Sequence, residues 1–530
     1  MTERDLFRSA GRTSAGAFPF GGAGAMGLTA GGVPWRLFLL ATAFAVLGGF
    51  LYTLSPVSVW CGAGCVGLFV WAGSGLPGRE RRWLLSVLAV ALGLRLLAVI
   101  GLFLVFSYAP ESRLLADQSV SDAPLTSFFF DGDGQALKQR AWWLRNTWLD
   151  VPIGERYFRL AFIDYAWTGY LYVIAYLQYL LGPAPFGVHL FNILLFLTAS
   201  VALYRLVRTA YTPGAAFAGL TLLLFLPTLF AWSISAMKES FHLFVGTVAF
   251  VTVIEIVRGR ARMRLLAVAG LVAAMGALAT VRLGAVEIMA AGLAGGLLMR
   301  LLTLRKWLVV ATLVCLAAGL FAVSRRPDIL DRVTSPILGR SVRTLVMDGL
   351  SKTAHTHLGH AVSRGHALKL LDESVYLKTS LNRGYKVVIS ELTPEELTRY
   401  VVRGAVAFLV VPLPWDVVSW SELAMVPQQV VWYLMVPLAM VGVVAGLRRD
   451  PLVTLLLVSC IVVAAVPIGL SNGNIGTLVR HRDTVVPFVV WLSGLGVVCL
   501  AGWLASRRWL PFGDVTAEEN ELQQRESTAR

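Results

Sequence analysis

The stretch FFFDGDGQALKQRAWWLR, residues 128–145, sets two carboxylates, Asp131 and Asp133, two positions apart between an aromatic triplet and a basic, Trp-containing run. A carboxylate at the start of a helix can take the proton of a hydroxyl, which is general-base chemistry. Two other readings are open on the residues alone. Asp-Gly turns cap helices, and a pair of carboxylates with water can hold a divalent cation. A calcium loop is excluded, because the position that an EF-hand reserves for its bidentate Glu is Trp142.

Further along, LPTLFAWSISAMKES (226–240) puts Lys238 and Glu239 at the head of an apolar run. Ionisable groups near membrane depth are costly and point to function by default; simple solvation of the Glu is the alternative. Arg282 and Glu287 flank a short turn and are spaced to pair with each other. GNIGTLVRHRD (473–483) carries Arg480, His481 and Arg482 just before the last apolar run. Guanidinium groups offer paired planar donors to phosphate oxygens, with ordinary lipid headgroups as the plainer partner. His355, His357, His360 and His366 read as a solvated or locally packed cluster rather than a metal site. Five cysteines all fall in apolar segments, where they act as small hydrophobes without a disulfide framework.

What must position these groups is a membrane bundle. Of 530 residues, 57% are hydrophobic and 15% charged, with a mean hydropathy of +0.70, against about 25% charged in soluble proteins. The chain is expected to be an all-α polytopic membrane protein. Its net charge of +15 sits in short clusters between apolar runs, which encodes topology and argues against nucleic acid as a partner. About twelve runs are long enough to span: 36–54, 57–75, 84–107, 187–207, 214–232, 240–257, 265–281, 285–303, 307–323, 424–446, 451–470 and 485–505. With the N-terminus in the cytoplasm, this list puts GRERR (78–82), YRLVR (204–208), RGRARMR (258–264), LRK (304–306), LRRD (447–450) and SRRW (506–509) on the cytoplasmic side. DYAWTGYLYVIAYLQYLLG (164–182) would invert every later loop if it crossed, and its six Tyr and Trp residues suit a helix in the headgroup region.

The expected organisation is a cytoplasmic tail (1–35), N-terminal spans (36–107), an outer loop with the acidic motif and a juxtamembrane helix (108–186), and a membrane core (187–323). An outer segment with an interfacial helix (324–423), C-terminal spans (424–505) and a cytoplasmic tail (506–530) follow. Nearly everything polar and unusual then faces the extracytoplasmic side.

In order and common sidedness, DGDGQALKQRAWWL, the Tyr-rich helix, PTLFAWSISAMKES and the late GTLVRHR resemble the GT-C integral-membrane glycosyltransferases. The likeness is to the bacterial branch similar to protein mannosyltransferases and lipid A aminoarabinose transferases. It implies a GT-C-like bundle in a bacterial cytoplasmic membrane. It further implies inverting transfer of a sugar from a polyprenyl-phosphate donor to a glycan, lipid or protein acceptor outside the cytoplasm. On that resemblance Asp133 or Asp131 is the general base, and Glu239 a second carboxylate that positions acceptor or metal. Arg480 and Arg482 hold the lipid phosphate, with His481, Lys238 and Arg282 as further phosphate-site candidates. No cofactor is called for beyond an optional divalent cation. Two rivals remain: a polysaccharide polymerase or ligase that uses diphosphate-linked lipids, and a flippase for such lipids. A flippase needs polar groups along a mid-bilayer path, of which Arg95 is the clearest instance.

Overall fold

The computed structural model describes residues 35–108, 133–162, 168–183, 186–282, 284–304, 342–363, 393–415 and 426–506, with isolated positions between them. All regular elements in these segments are helices. Helix α1 (Trp35–Leu54) belongs to a unit of its own, and the second unit, from Ser55 onward, holds the bundle. The bundle opens with α2 (Pro56–Gly73) and α3 (Gly78–Tyr108), followed by the short helices α4 (Asp133–Trp148), α5 (Glu155–Ala161) and α6 (Gly169–Leu181). Next come α7 (Gly187–Ala210), α8 (Pro213–Phe225), α9 (Pro227–Ile234), α10 (Glu239–Arg258), α11 (Ala261–Val281) and α12 (Ala285–Leu304). The chain continues with α13 (Val342–Ser363), α14 (Pro394–Val410), α15 (Val426–Arg449), α16 (Pro451–Ser471), α17 (Ile475–Arg482) and α18 (Val486–Ser506).

Among the described residues, nine helices are long and apolar enough to cross a membrane: α2, α3, α7, α10, α11, α12, α15, α16 and α18. This is an all-α polytopic membrane protein. Of the twelve expected spans, 36–54 coincides with α1 and 307–323 lies outside the described residues. The expected straight span 214–232 is instead two helices, α8 and α9, bent by 61°. Pro227 is the reason: it has no N–H for a helical bond, and it drives Leu226 out of the helical region to φ −59°, ψ 124°. At 13 residues α6 is about 20 Å long, short of the ~30 Å hydrocarbon core. It packs instead against α4 and the ends of α2 and α11.

Among the described residues, the basic clusters GRERR, YRLVR, RGRARMR and LRRD gather at one end of the bundle. Glu80 at the start of α3 accepts from Arg208 (2.9 Å) and Tyr204 (2.7 Å) near the end of α7. Arg258, closing α10, makes a two-pronged pair with Asp450 (2.6 and 2.8 Å), which also caps α16 through the Val453 amide. Tyr211 joins these two groups through Thr454 (2.9 Å). The opposite end collects the polar motifs.

Small residues let the helices approach, as is usual where lipid supplies no hydrophobic drive between spans. A Cβ at Gly442 would fall 1.9 Å from the Leu492 carbonyl oxygen, and one at Gly496 would fall 1.9 Å from that of Leu438. The α15–α18 crossing is thus backbone against backbone. Gly442→Ala is expected to cost about 1–3 kcal/mol through overpacking, read as a lowered thermal midpoint in detergent. Gly62→Ala, with open space around it, should be neutral or slightly stabilising, since Ala favours helix over Gly.

Candidate functional site

Glu239 is the first residue of α10, where the positive end of the helix dipole favours a carboxylate. Its side chain is only 8% exposed, and Oε1 accepts from Arg480 Nε at 2.7 Å and Arg282 Nη2 at 3.3 Å. Two turns and a short helix, distant in sequence, meet here: α9–α10 gives Lys238 and Glu239, α11–α12 gives Arg282, and α17 gives Arg480. The sequence pairing of Arg282 with Glu287 is therefore corrected, because Arg282 turns inward to Glu239. Lys238 donates to the Val281 carbonyl (3.2 Å), and the Arg480 guanidinium lies 5.7 Å from the centre of the Trp232 ring.

The turn that carries Lys238 and Glu239 is held from below. Asn192 donates to the carbonyls of Ser235 (2.7 Å) and Met237 (2.8 Å), and its own oxygen accepts from Tyr170 (2.7 Å). His189 Nδ1 lies 2.7 Å from the Ile234 carbonyl, so it carries the proton, and Nε2 accepts from Lys138 at 3.3 Å. Thr168 ties the start of α6 to the Val281 carbonyl (2.8 Å), the acceptor shared with Lys238. Sequence reasoning took Tyr170 only as one of the headgroup aromatics, whereas it is fully buried, and passed over Asn192 and His189. Their signal was polarity at the edge of otherwise apolar runs.

The acidic motif reaches the same place. Asp133 is the first residue of α4, and Asp131 lies outside the described residues. Gly134, which is buried, sits where a Cβ would contact Ala236 and Met237 at 3.7 Å. The start of α4 therefore abuts the turn that leads into Glu239.

Arg482 is a correction. It is 1% exposed and donates to the carbonyls of Val411 (2.8 Å) and Phe408 (3.4 Å) and to Gln429 Oε1 (2.7 Å), with its guanidinium 4.8 Å from the Trp432 ring centre. It neutralises the carbonyl end of α14 rather than joining Arg480. The reason is helical geometry: residues i and i+2 point about 200° apart, so one short helix splits the Arg-His-Arg run. Burial pulls the Arg482 guanidinium down to about 10, which leaves it charged at neutral pH.

His481 is half-buried, and its ring centre lies 6.5 Å from that of His360 on α13. The histidine cluster is packed in part: His357 is fully buried and His360 lies against the Ser471 carbonyl, while His355 is exposed and His366 falls outside the described residues. Burial first, then Arg282 and Arg480, hold the His481 imidazole well below its ordinary 6.5. The unfolded chain takes up this proton near pH 6.5 and the folded chain does not. Stability from His481 is therefore complete above that pH and is lost on acidification. Asp483 works the opposite way: burial raises its carboxyl to about 6, giving stability that fades as the pH rises through that value. Comparing wild type with His481→Gln isolates the first effect. Below pH 6.5 the wild type should lose up to about 1.4 kcal/mol per pH unit more than the variant, measured as thermal midpoints between pH 7.5 and 5. Parallel curves would contradict it.

Beneath the cluster is a cavity of about 30 Å³, above the ~10–15 Å³ needed to admit one water, lined by Trp232, Glu239, Ser240, His242 and Asp483 together with apolar residues. Glu239 Oε2, Ser240 Oγ and His242 Nδ1 are buried and have no hydrogen-bond partner among the described residues. Also among the described residues, no group of three or more His, Cys, Asp or Glu side chains could hold a metal ion. The Asp131–Asp133 pair considered for a divalent cation lies outside the described side chains. The arrangement suits an anion with polar oxygens: Lys238, Arg282 and Arg480 exceed Glu239 by two positive charges, and Asp483 balances Arg482. No family model, curated protein or solved structure matches the chain.

Proposed function

We propose that the protein is an integral-membrane glycosyltransferase of the bacterial cytoplasmic membrane, taking a sugar from a polyprenyl-phosphate donor and passing it to a hydroxyl acceptor on the extracytoplasmic face. The observation that carries this reading is convergence. The Asp133 helix start packs on the turn into Glu239, and Glu239 gathers Arg282 and Arg480 at the end of the bundle away from the basic clusters.

In this reading Asp133 accepts the proton of the acceptor hydroxyl, whose oxygen bonds to the anomeric carbon from the face opposite the phosphate. The bond from that carbon to the phosphate oxygen breaks, and its electron pair leaves with the lipid. A phosphodiester of one negative charge becomes a monoester of two. Arg480, Arg282 and Lys238 meet the added charge in a site of low dielectric, with Glu239 orienting the guanidinium groups. Membrane lipid supplies the donor laterally, and the acceptor is a glycan, lipid or protein.

The test is transfer by the purified protein from a panel of synthetic polyprenyl-phosphate and polyprenyl-diphosphate sugars. Transfer from a monophosphate donor, lost on Asp133→Asn or Asp131→Asn, supports the reading. Turnover of diphosphate donors alone, insensitive to both Asn changes, would favour a polymerase instead.

A further inference from the structure

We propose that Arg95 and Gln428 are positioning residues that splint the break between α8 and α9, and so hold the floor of the Glu239 site. The interrupted helical bond at Leu226–Pro227 leaves two backbone groups facing apolar surroundings: the Leu224 carbonyl and the Thr228 amide, which would bond to each other in a continuous helix. Each is taken by a side chain from elsewhere. Arg95 Nη2 donates to the Leu224 carbonyl at 2.8 Å, and the Thr228 amide donates to Gln428 Oε1 at 2.7 Å.

Both residues then reach past the break. Arg95 Nε donates to Ser233 Oγ at 2.7 Å, near the far end of α9, and Nη1 donates to the Ala91 carbonyl at 3.0 Å on its own helix. Its guanidinium lies 4.8 Å from the ring centres of both Phe196 and Phe230. Arg95 is fully buried in a membrane span and pairs with no carboxylate among the described residues. An uncompensated charge in that place is costly. What it gains is a bridge across the bend, from Leu224 to Ser233.

Gln428 closes the other side. Its amide nitrogen donates to Asp483 Oδ1 at 3.1 Å, and Asp483 Oδ2 accepts from Trp232 Nε1 at 2.7 Å. The first amide of α9 and its tryptophan are thus held by one Gln–Asp pair, and the Trp232 ring lies beneath Arg480. Pro227 sets where the helix breaks. Arg95 and Gln428 set the angle, and through it the height of Trp232 and of the turn that presents Glu239.

The experiment uses the full chain labelled with 5-fluorotryptophan in detergent, its Trp232 fluorine resonance identified by loss in Trp232→Phe. In Arg95→Met and in Gln428→Leu that resonance should move or split while most of the others stay in place. Arg95→Lys should not restore it, because one ammonium cannot reach the carbonyl and Ser233 as a planar fork does. Gln428→Leu, neutral for neutral, decides the matter if Arg95→Met fails to fold. An unmoved Trp232 resonance in the folded variants, or full restoration by Arg95→Lys, overturns the proposal. A second measurement rests on the function proposed above: polyprenyl phosphate should bind on the order of tenfold to a hundredfold more weakly to Arg95→Met and Gln428→Leu. If wild type binds no polyprenyl phosphate, that function fails, and the fluorine resonance still decides the splint.

Discussion

Glu239→Leu should cost about 3–5 kcal/mol of stability, because it removes one partner of a buried ion cluster and leaves the others uncompensated. The side chains of Arg282 and Arg480 are only 19% and 20% exposed. Each has been withdrawn from water on the strength of the same carboxylate oxygen. Glu239→Gln keeps an acceptor for one guanidinium but not the charge, so it should fall between wild type and the leucine variant. The cleaner measurement is a double-mutant cycle. Arg480→Met should destabilise the wild type, because it removes a hydrogen bond at 2.7 Å. In the Glu239→Leu background the same change removes an unpaired cation and should be neutral or stabilising. A coupling energy of 0.5–3 kcal/mol, roughly the range for residues in contact, would establish the hub by thermal or denaturant unfolding in detergent. Strictly additive losses would mean that solvent already screens the pair.

Composition and run length made the bundle legible, since few charges over long apolar runs leave only a polytopic helical protein. The grouping of the basic clusters at one end was legible for the same reason. Pro227 signalled a boundary but not an angle, because the bend depends on Arg95 and Gln428, which lie 129 and 200 positions away from the groups they hold. In the site, Glu239, Lys238, Arg282 and Arg480 were each visible as ionisable residues at the edge of an apolar run. Their union on one carboxylate was not, because it joins turns 43 and 241 residues apart in the chain. Arg482 misled for a local reason: three basic letters in a row look like one patch until a helix turns them apart. His360 came to the site on α13, whose histidines read as solvated or locally packed, with nothing in the sequence to name α16 and His481 as their neighbours.

Asp133→Asn should reduce sugar transfer by about 10² to 10⁴-fold, the usual worth of a positioned general base, with donor affinity little changed. Asparagine keeps the size of the side chain and its hydrogen-bonding oxygen, so a helix-capping role would survive the substitution while proton acceptance would not. The two roles are thereby separated by one experiment: a cap lost or kept shows in the thermal midpoint, a base in turnover. Asp131→Asn should stay within a few-fold of wild type if Asp133, the first residue of α4 and the chain neighbour of Gly134, is the group that takes the acceptor's proton. Reversal of the two results would make Asp131 the base and leave the rest of the scheme intact. Equal transfer by both variants would return the acidic motif to a helix start. The carboxylate left nearest the cations would then be Glu239. Its Oε1 is already engaged by two guanidinium groups, so any proton would have to go to Oε2, on the side of the small cavity shared with Ser240 and His242.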